Sequence, residues 1–230
     1  MWKKIQQRRV KGWSFVSRLT LSVFFIAFYL SWFFRVEGRE VSYYHVLHTP
    51  LDDMIPFLPI FVIPYISWFF YMLVVIGMFG LFDKDGWEFF RMALSQVSMC
   101  VIFLLISIHY PNAQDLRPDT LPQGILGDII SRLYKIDTPT DVLPSIHVFN
   151  SLVCSTATWK SKIFFKEKKD LWMKVIIVIW GWLIILSTMF LKQHSTIDVG
   201  AAFLAFGVYY VLWITADKLK EKYAGMVNKK

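Results

Sequence analysis

The chain has 230 residues, 56% of them hydrophobic and 18% aromatic, with a mean hydropathy of +0.46 and a formal net charge of +8. That apolar share argues against an ordinary water-soluble domain, and because the excess gathers in runs it points to a membrane protein. The basic residues are split over separate segments with no recognition motif among them, which excludes nucleic acid as a partner and fits a face apposed to the lipid bilayer.

In chain order, a basic tail over 1–18 (Lys3, Lys4, Arg8, Arg9, Lys11, Arg18) precedes a first apolar run at 19–34. Arg35-Val36-Glu37-Gly38-Arg39 follows it without a small-residue cleavage pattern, so the run reads as an uncleaved helix and not a signal peptide. Further runs cover 57–82, 92–110, 144–159, 175–191 and 197–216, and a second basic tail covers 217–230. A span needs about 20 mostly apolar residues, and within lipid an α-helix satisfies its own backbone. The expected fold is therefore all-α: one polytopic domain over 19–216 with six transmembrane helices.

Two of the six runs carry a qualification. Pro56, Pro59 and Pro64 predict that the second is kinked or begins late. The fourth carries Ser145, His147, Asn150, Ser151, Ser155, Thr156 and Thr158, and qualifies as a span because those groups can face the interior of a bundle. Cys100 and Cys154 both fall inside runs and read as buried small apolar residues without a disulfide.

With six spans, 19 of the 25 basic residues fall on the side that holds both termini and six on the other. The positive-inside rule then places both termini in the cytoplasm. The outer segments are 35–56, 111–143 and the turn 192–196. Within 111–143, residues 124–135 have apolar positions at helical spacing and predict a short interfacial helix able to guide a lipid chain or simply to pack over the bundle.

This topology brings scattered residues to one membrane face. His147 lies in the first turn of the fourth span, and His194 follows the fifth span directly. Asp198, four residues on, shares a helix face with His194, and Arg117, Ser145 and Lys192 lie at the same end. Ionisable groups at a span end are costly and mark a functional site. A carboxylate on one imidazole nitrogen leaves the other as nucleophile or base. A second imidazole can protonate a leaving oxygen, while cations and a helix N-terminus hold a phosphoryl anion. Phosphoryl transfer from a lipid fits every part. A zinc site built from His147, His194 and Asp198 is the rival, and Arg117 and Lys192 beside it would repel the metal. His45, His48 and His109 read as interfacial residues. Asp52 and Asp53 read as solvated carboxylates before a helix, or as groups that recognise a cationic or hydroxyl-rich head group.

At these residues the chain resembles the type 2 phosphatidic acid phosphatase (PAP2) superfamily. Leu143-Pro144-Ser145-Ile146-His147 is similar to its second signature motif, Ser187 through Asp198 to its third, and Arg117-Pro118 to the close of its first. The resemblance implies His194 as the nucleophile that forms a phosphohistidine, Asp198 as its orienting carboxylate and His147 as the acid for the leaving alcohol. It implies Arg117 and Ser145 as phosphate ligands, and neither metal nor other cofactor. Tyr110 stands where the first motif has a lysine, Thr188 where the third has an arginine, and Ile146 where the second has a glycine. Lys192 is placed to replace one missing cation, with Arg132 or Lys135 as further candidates to fold over the pocket. Pro-Ser-Ile-His and Ser187 to His194 also resemble the branch of inositol phosphorylceramide and sphingomyelin synthases, which transfer head groups between lipids. A pocket with fewer cations balances a diester better than a monoester.

Three readings stand: a lipid phosphatase, which is the commoner family activity; a lipid head-group phosphotransferase; and a non-enzymatic transporter or lipid-binding protein. The third is disfavoured because a transport path wants polar groups at mid-membrane. The charge count predicts that a cysteine introduced at Lys168 stays unlabelled by an impermeant thiol reagent applied from outside. Labelling there would reverse the orientation and move the site to the other face.

Overall fold

The computed structural model describes residues 15–161, 163–164, 167 and 171–227. Most of the N-terminal tail, and Lys166 and Lys168 of the loop assigned to the cytoplasmic side, lie outside the described residues. In chain order the elements are α1 (Phe15–Glu37), β1 (His45–Val46), α2 (Pro50–Met54), a 3-10 turn (Pro59–Phe61), α3 (Val62–Ile66), α4 (Trp68–Phe82), α5 (Trp87–His109), β2 (Asn112–Ala113), α6 (Ile125–Ile136), α7 (Ile146–Lys160), α8 (Leu171–Phe190) and α9 (Thr196–Val227). Among the described residues five helical segments are long and apolar enough to cross a membrane: Val16–Glu37, Pro59–Phe82, Trp87–His109, Leu171–Phe190 and Thr196–Lys222.

The expected fourth span, α7, is absent from that group. Its 15 residues rise about 1.5 Å each, roughly 22 Å in all, short of the ~30 Å hydrocarbon core. Its placement explains its composition. It packs against α4, α5, α8 and α9, and eleven of its residues are buried, among them Asn150, Ser151, Ser155 and Thr158. A helix enclosed by protein presents no face to lipid and so needs no apolar one. Val148, Phe149, Val153 and Cys154 are fully buried in the main core with Phe79, Met92 and Ile184.

The kink predicted for the second apolar run falls at Ser67, between α3 and α4. The Ser67 hydroxyl donates to the Pro64 carbonyl (2.8 Å) and accepts from the indole Nε1 of Trp180 (2.8 Å), which fixes the bend against α8. At the far end of the bundle, α1 already includes Arg18. Its buried guanidinium donates to the Gly80 and Asp83 carbonyls (3.2 and 2.6 Å), a cation on the C-terminal carbonyls of α4. The 217–230 segment, expected as a tail, continues α9 as helix through Val227. Asp217 there accepts from Trp87 Nε1 (2.9 Å) and Arg91 Nη1 (2.5 Å), which ties α9 to the start of α5.

At the opposite end, β1 pairs with β2 in parallel, His45 opposite Asn112 and Val46 opposite Ala113, and Gln114 Nε2 donates to Lys192 O (2.9 Å). The three segments expected on the outer face therefore meet. The short helix expected within 124–135 forms as α6 and packs Ile130 over the bundle with Val62, Tyr65 and Leu191. Cys100 and Cys154 are free and buried.

Gly181 of α8 lies where Ser155 of α7 meets Tyr71 of α4, whose hydroxyls are hydrogen-bonded at 3.0 Å. A Cβ at position 181 would stand 2.2 Å from Ser155 Oγ and 2.7 Å from the Tyr71 hydroxyl. Gly181→Val is expected to destabilise the bundle by about 1–3 kcal/mol, read as a lowered unfolding midpoint in detergent.

Candidate active site

The site is built by how α8 ends and α9 begins. Leu191 N bonds to Ser187 O (3.0 Å), and both Gln193 N and His194 N bond to Thr188 O (3.0 and 3.1 Å). This closure needs a left-handed residue after the helix, and Lys192 adopts it with φ 54°, a strained conformation for a side chain with a Cβ. The chain turns at His194 and re-enters helix at Thr196. His194 Nδ1 then stands 2.5 Å from Asp198 Oδ2, one turn along α9. His194 is 8% exposed and Asp198 fully buried. Nε2 of His194 has no hydrogen-bond partner among the described residues.

His147 arrives from α7. Ser145 caps that helix, its Oγ accepting from Val148 N (3.3 Å), so its hydroxyl proton remains to be donated. Ser145 N donates to Asp198 O (3.2 Å), which joins the two motif segments backbone to backbone. The His147 ring lies 5.6 Å from that of His194, between centroids. Tyr65 stacks on it at 4.7 Å and Trp68 leans against it at 4.3 Å. The loop before it is pinned twice. Arg39 forms a bidentate pair with Asp141 (2.7 and 3.0 Å), and Asn112 Oδ1 accepts from Val142 N and Leu143 N (2.9 Å each).

Arg117 and Lys192 reach the same end of the bundle but hold protein carbonyls. Arg117 donates to Tyr134 O (3.0 Å), Asp137 O (2.5 Å) and Gln193 Oε1 (2.5 Å), with its guanidinium 4.2 Å from the Tyr134 ring centroid. Lys192 Nζ donates to Asp52 O (2.6 Å). Neither forms a direct ion pair among the described residues, although the Asp137 carboxylate lies within electrostatic reach of Arg117. Arg132 and Lys135 of α6 are exposed. Tyr110, at the position of one missing cation, stacks on His45 at 4.1 Å. Thr188, at the other, is fully buried, and its carbonyl holds the turn. Clefts of about 400 Å³ between α7, α8 and α9 and about 650 Å³ beside the start of α6 are not lined by either histidine. Among the described residues no group of three or more His, Cys, Asp or Glu is placed to hold a metal ion.

Sequence reasoning did not single out Tyr65, Trp68, Asp137 or Gln193. Tyr65 OH and Gln193 Nε2 both donate to Asp137 Oδ2 (2.5 and 3.4 Å), closing a network above the histidines. Nor did it place Asp52, which is 1% exposed and not the solvated loop residue expected. Thr-x-x-Asp over 49–52 is a capping signature, and the Asp52 carboxylate does reach back to Thr49 N (2.8 Å). The same carboxylate also bonds to Ser195 and Thr196, 143 and 144 residues further along the chain, which no local signature announces.

A helical membrane protein with a buried histidine–aspartate pair facing a second histidine is thus the class that fold and geometry define. The sequence model of the PAP2 superfamily matches residues 89–222, more than half of the chain, and the protein belongs to that superfamily. No curated protein and no solved structure matches it. Membership supports a phosphatase or phosphotransferase type of activity, and the apolar helices make the protein membrane-embedded.

On the same face His48 stands between two carboxylates, Nε2 2.8 Å from Asp53 and Nδ1 3.0 Å from Asp115. A ring that donates to both must be protonated. The hydrogen bond to Asp53 is the largest influence and raises its pKa, desolvation opposes it, and the charges of Asp53 and Asp115 reinforce the rise. A raised value means that the tether holds at and below the ordinary histidine pKa of about 6.5 and is lost as pH rises through the shifted value. An NMR titration is expected to place His48 above an ordinary histidine, and Asp53→Asn to bring it down.

Proposed function

We propose that the protein is a lipid phosphatase that hydrolyses a phosphate monoester or diphosphate through a phosphohistidine, on the extracytoplasmic face of the membrane. The observation that carries this reading is the His194 Nδ1 to Asp198 Oδ2 bond at 2.5 Å. It assigns the proton to Nδ1 and leaves the Nε2 lone pair for attack on phosphorus. As the bond from Nε2 to phosphorus forms, the bond from phosphorus to the lipid oxygen breaks, and His147 delivers a proton to that oxygen. Asp198 stabilises the positive charge that develops on His194. Water then attacks the phosphohistidine, His147 takes its proton, and phosphate leaves. Arg117, Lys192 and the Ser145 hydroxyl bind phosphoryl oxygens, the two cations by exchanging carbonyl partners for the anion. No step requires a metal.

In this reading both termini are cytoplasmic, α7 crosses as the sixth span inside the shell of the other five, and the catalytic domain runs over 19–216 with 111–143 as its outer loop. A head-group phosphotransferase, in which a lipid alcohol replaces water, is the second reading. It is favoured by the packing of Tyr110 on His45 and the burial of Thr188, which leave Arg117 and Lys192 as the nearby cations and suit a singly charged diester. A non-enzymatic transporter or lipid-binding role would leave the histidine–aspartate pair without purpose.

Purified protein incubated in EDTA with lipid monoesters, diphosphates and diesters, with and without acceptor lipid, separates these readings by product. His194→Ala is expected to abolish both turnover and the covalent intermediate. His147→Ala should keep activity on an aryl phosphate, whose leaving group needs little protonation, and lose it on an alkyl ester. Asp198→Asn should lower kcat by roughly 100- to 10,000-fold, as for other carboxylate–histidine pairs. Phosphate trapped on His147, or full activity in His194→Ala, would overturn the assignment.

A further inference from the structure

Asp52 is a buried carboxylate that the proposed reaction does not use. It belongs to α2, a helix of five residues, and lies outside the 89–222 region matched by the family model. Its contacts are concentrated on the turn that carries His194. Oδ1 accepts from Thr196 N (2.7 Å) and Oδ2 from Ser195 Oγ (2.6 Å). Its main-chain carbonyl accepts from Lys192 Nζ (2.6 Å). Thr49 Oγ1, bonded to the same carboxylate at 3.1 Å, also bonds to Thr196 Oγ1 at 2.8 Å. Residues on both sides of His194 are thereby fastened to one side chain and its carbonyl.

Capping its own short helix does not account for this arrangement, since a cap employs one carboxylate oxygen on its own helix terminus and here Oδ1 is given to another helix altogether. The fastening is also stiff. The segment 45–53 is held from the other side by Leu47 N on Ala113 O (2.8 Å), by the β1–β2 pairing and by His48 against Asp115. Burial alone would push the Asp52 carboxyl up, but the hydrogen bonds from Ser195, Thr196 and Thr49 outweigh it and hold the group below the usual carboxylate value, ionised at neutral pH. An ionised acceptor makes stronger bonds to O–H and N–H donors than a neutral one. The turn it holds is strained at Lys192, and a strained turn keeps its shape only when its surroundings over-determine it.

We propose that Asp52 is a positioning residue of the active site: it locks the 192–196 turn so that His194 keeps its alignment with Asp198 and His147. The inference rests on the proposed phosphohistidine reaction for its kinetic consequence, but its structural consequence stands without that reaction. Asp52→Asn keeps the size of the side chain and replaces one acceptor by an N–H donor, which must then face Thr196 N on one side or Ser195 Oγ and Thr49 N on the other. Facing Thr196 N it breaks that bond to the turn; facing Ser195 Oγ it keeps a bond only if the hydroxyl turns to accept; in both cases the charged acceptor is lost and the turn loosens.

The test has two readouts on the full-length protein in detergent. For turnover of an aryl phosphate, Asp52→Asn is expected to lower kcat by about 10- to 100-fold, as loss of a group that orients a reacting residue does, with KM within about threefold of wild type. For accessibility, modification of His194 by diethyl pyrocarbonate, followed at that residue by peptide mass spectrometry, should accelerate because the turn no longer shields the ring, while exposed His109 reacts at an unchanged rate. Ser195→Ala, which deletes a single hydroxyl, should move both readouts in the same direction by less, and in combination with Asp52→Asn should add less than its separate effect. It serves alone if Asp52→Asn does not fold. A folded Asp52→Asn with kcat within about twofold of wild type and unchanged His194 modification overturns the proposal, as does a wild-type Ser195→Ala where that variant stands alone. If wild-type protein turns over no phosphate ester, the proposed function fails, and the rate of His194 modification still decides the role of Asp52.

Discussion

Asp198 is fully buried at the end of an apolar bundle, and a carboxylate removed from water persists as an anion only where a partner stands against it. That partner is His194, which lies in the turn just before α9 and is bonded through Nδ1. The remaining oxygen, Oδ1, is buried without a hydrogen-bond partner, so the pair is satisfied on one side only. This demand for a fixed imidazole governs the neighbourhood. The α8 terminus is closed tightly on Thr188 O, Lys192 takes a left-handed conformation to allow it, and Ser145 N reaches across to the Asp198 carbonyl.

The second constraint is the polarity of α7. Its serines, threonines and asparagine would be costly in contact with lipid, and the bundle keeps them from it by enclosing the helix, with Asn150 Oδ1, Ser151 Oγ and Thr158 Oγ1 left without hydrogen-bond partners among the described residues. Ser155 is paired with Tyr71, and the close approach of Gly181 lets α8 shield the same patch. Enclosure also delivers His147 to the interior of the bundle end, between Tyr65 and Trp68. The two aromatic rings restrict the imidazole without occupying its nitrogens, which suits the acid and base role proposed for it.

The third feature is a division of labour between the two halves of the chain. Both histidines belong to the region that defines the family, 89–222. Much of what immobilises them comes from the residues before it: Arg39 on Asp141, Tyr65 and Trp68 on His147, and Asp52 on Ser195 and Thr196. The segment between α1 and α4 is thus one wall of the candidate site and not only a connection between helices. Arg117 and Lys192 also lie at this end, each held by protein carbonyl oxygens.

Five helices long and apolar enough to cross a membrane, the break near Pro64 and the short helix α6 were legible in the sequence because each follows from local composition: runs of apolar residues, a missing amide proton, a helical period. The convergence of His147, His194 and Asp198 was legible for a related reason, since in a bundle of antiparallel spans the end at which a residue lies follows from counting spans. The expected fourth span rested on where its polar residues would have to face and not on hydropathy, and α7 is not among the five helices long and apolar enough to cross a membrane because its surroundings are protein. Asp52, Arg39, Tyr65, Trp68 and the carbonyl partners of Arg117 and Lys192 had no such signature. Their roles depend on contacts between residues up to 144 positions apart, and whether a loop carboxylate is solvated or buried is decided by which segment packs over it. Sequence alone determined the class of the fold, the end of the bundle at which the two histidines gather and the histidine–aspartate pair. Only the tertiary structure decided what holds that pair in place, because burial and long-range hydrogen bonds exist only once the helices have packed.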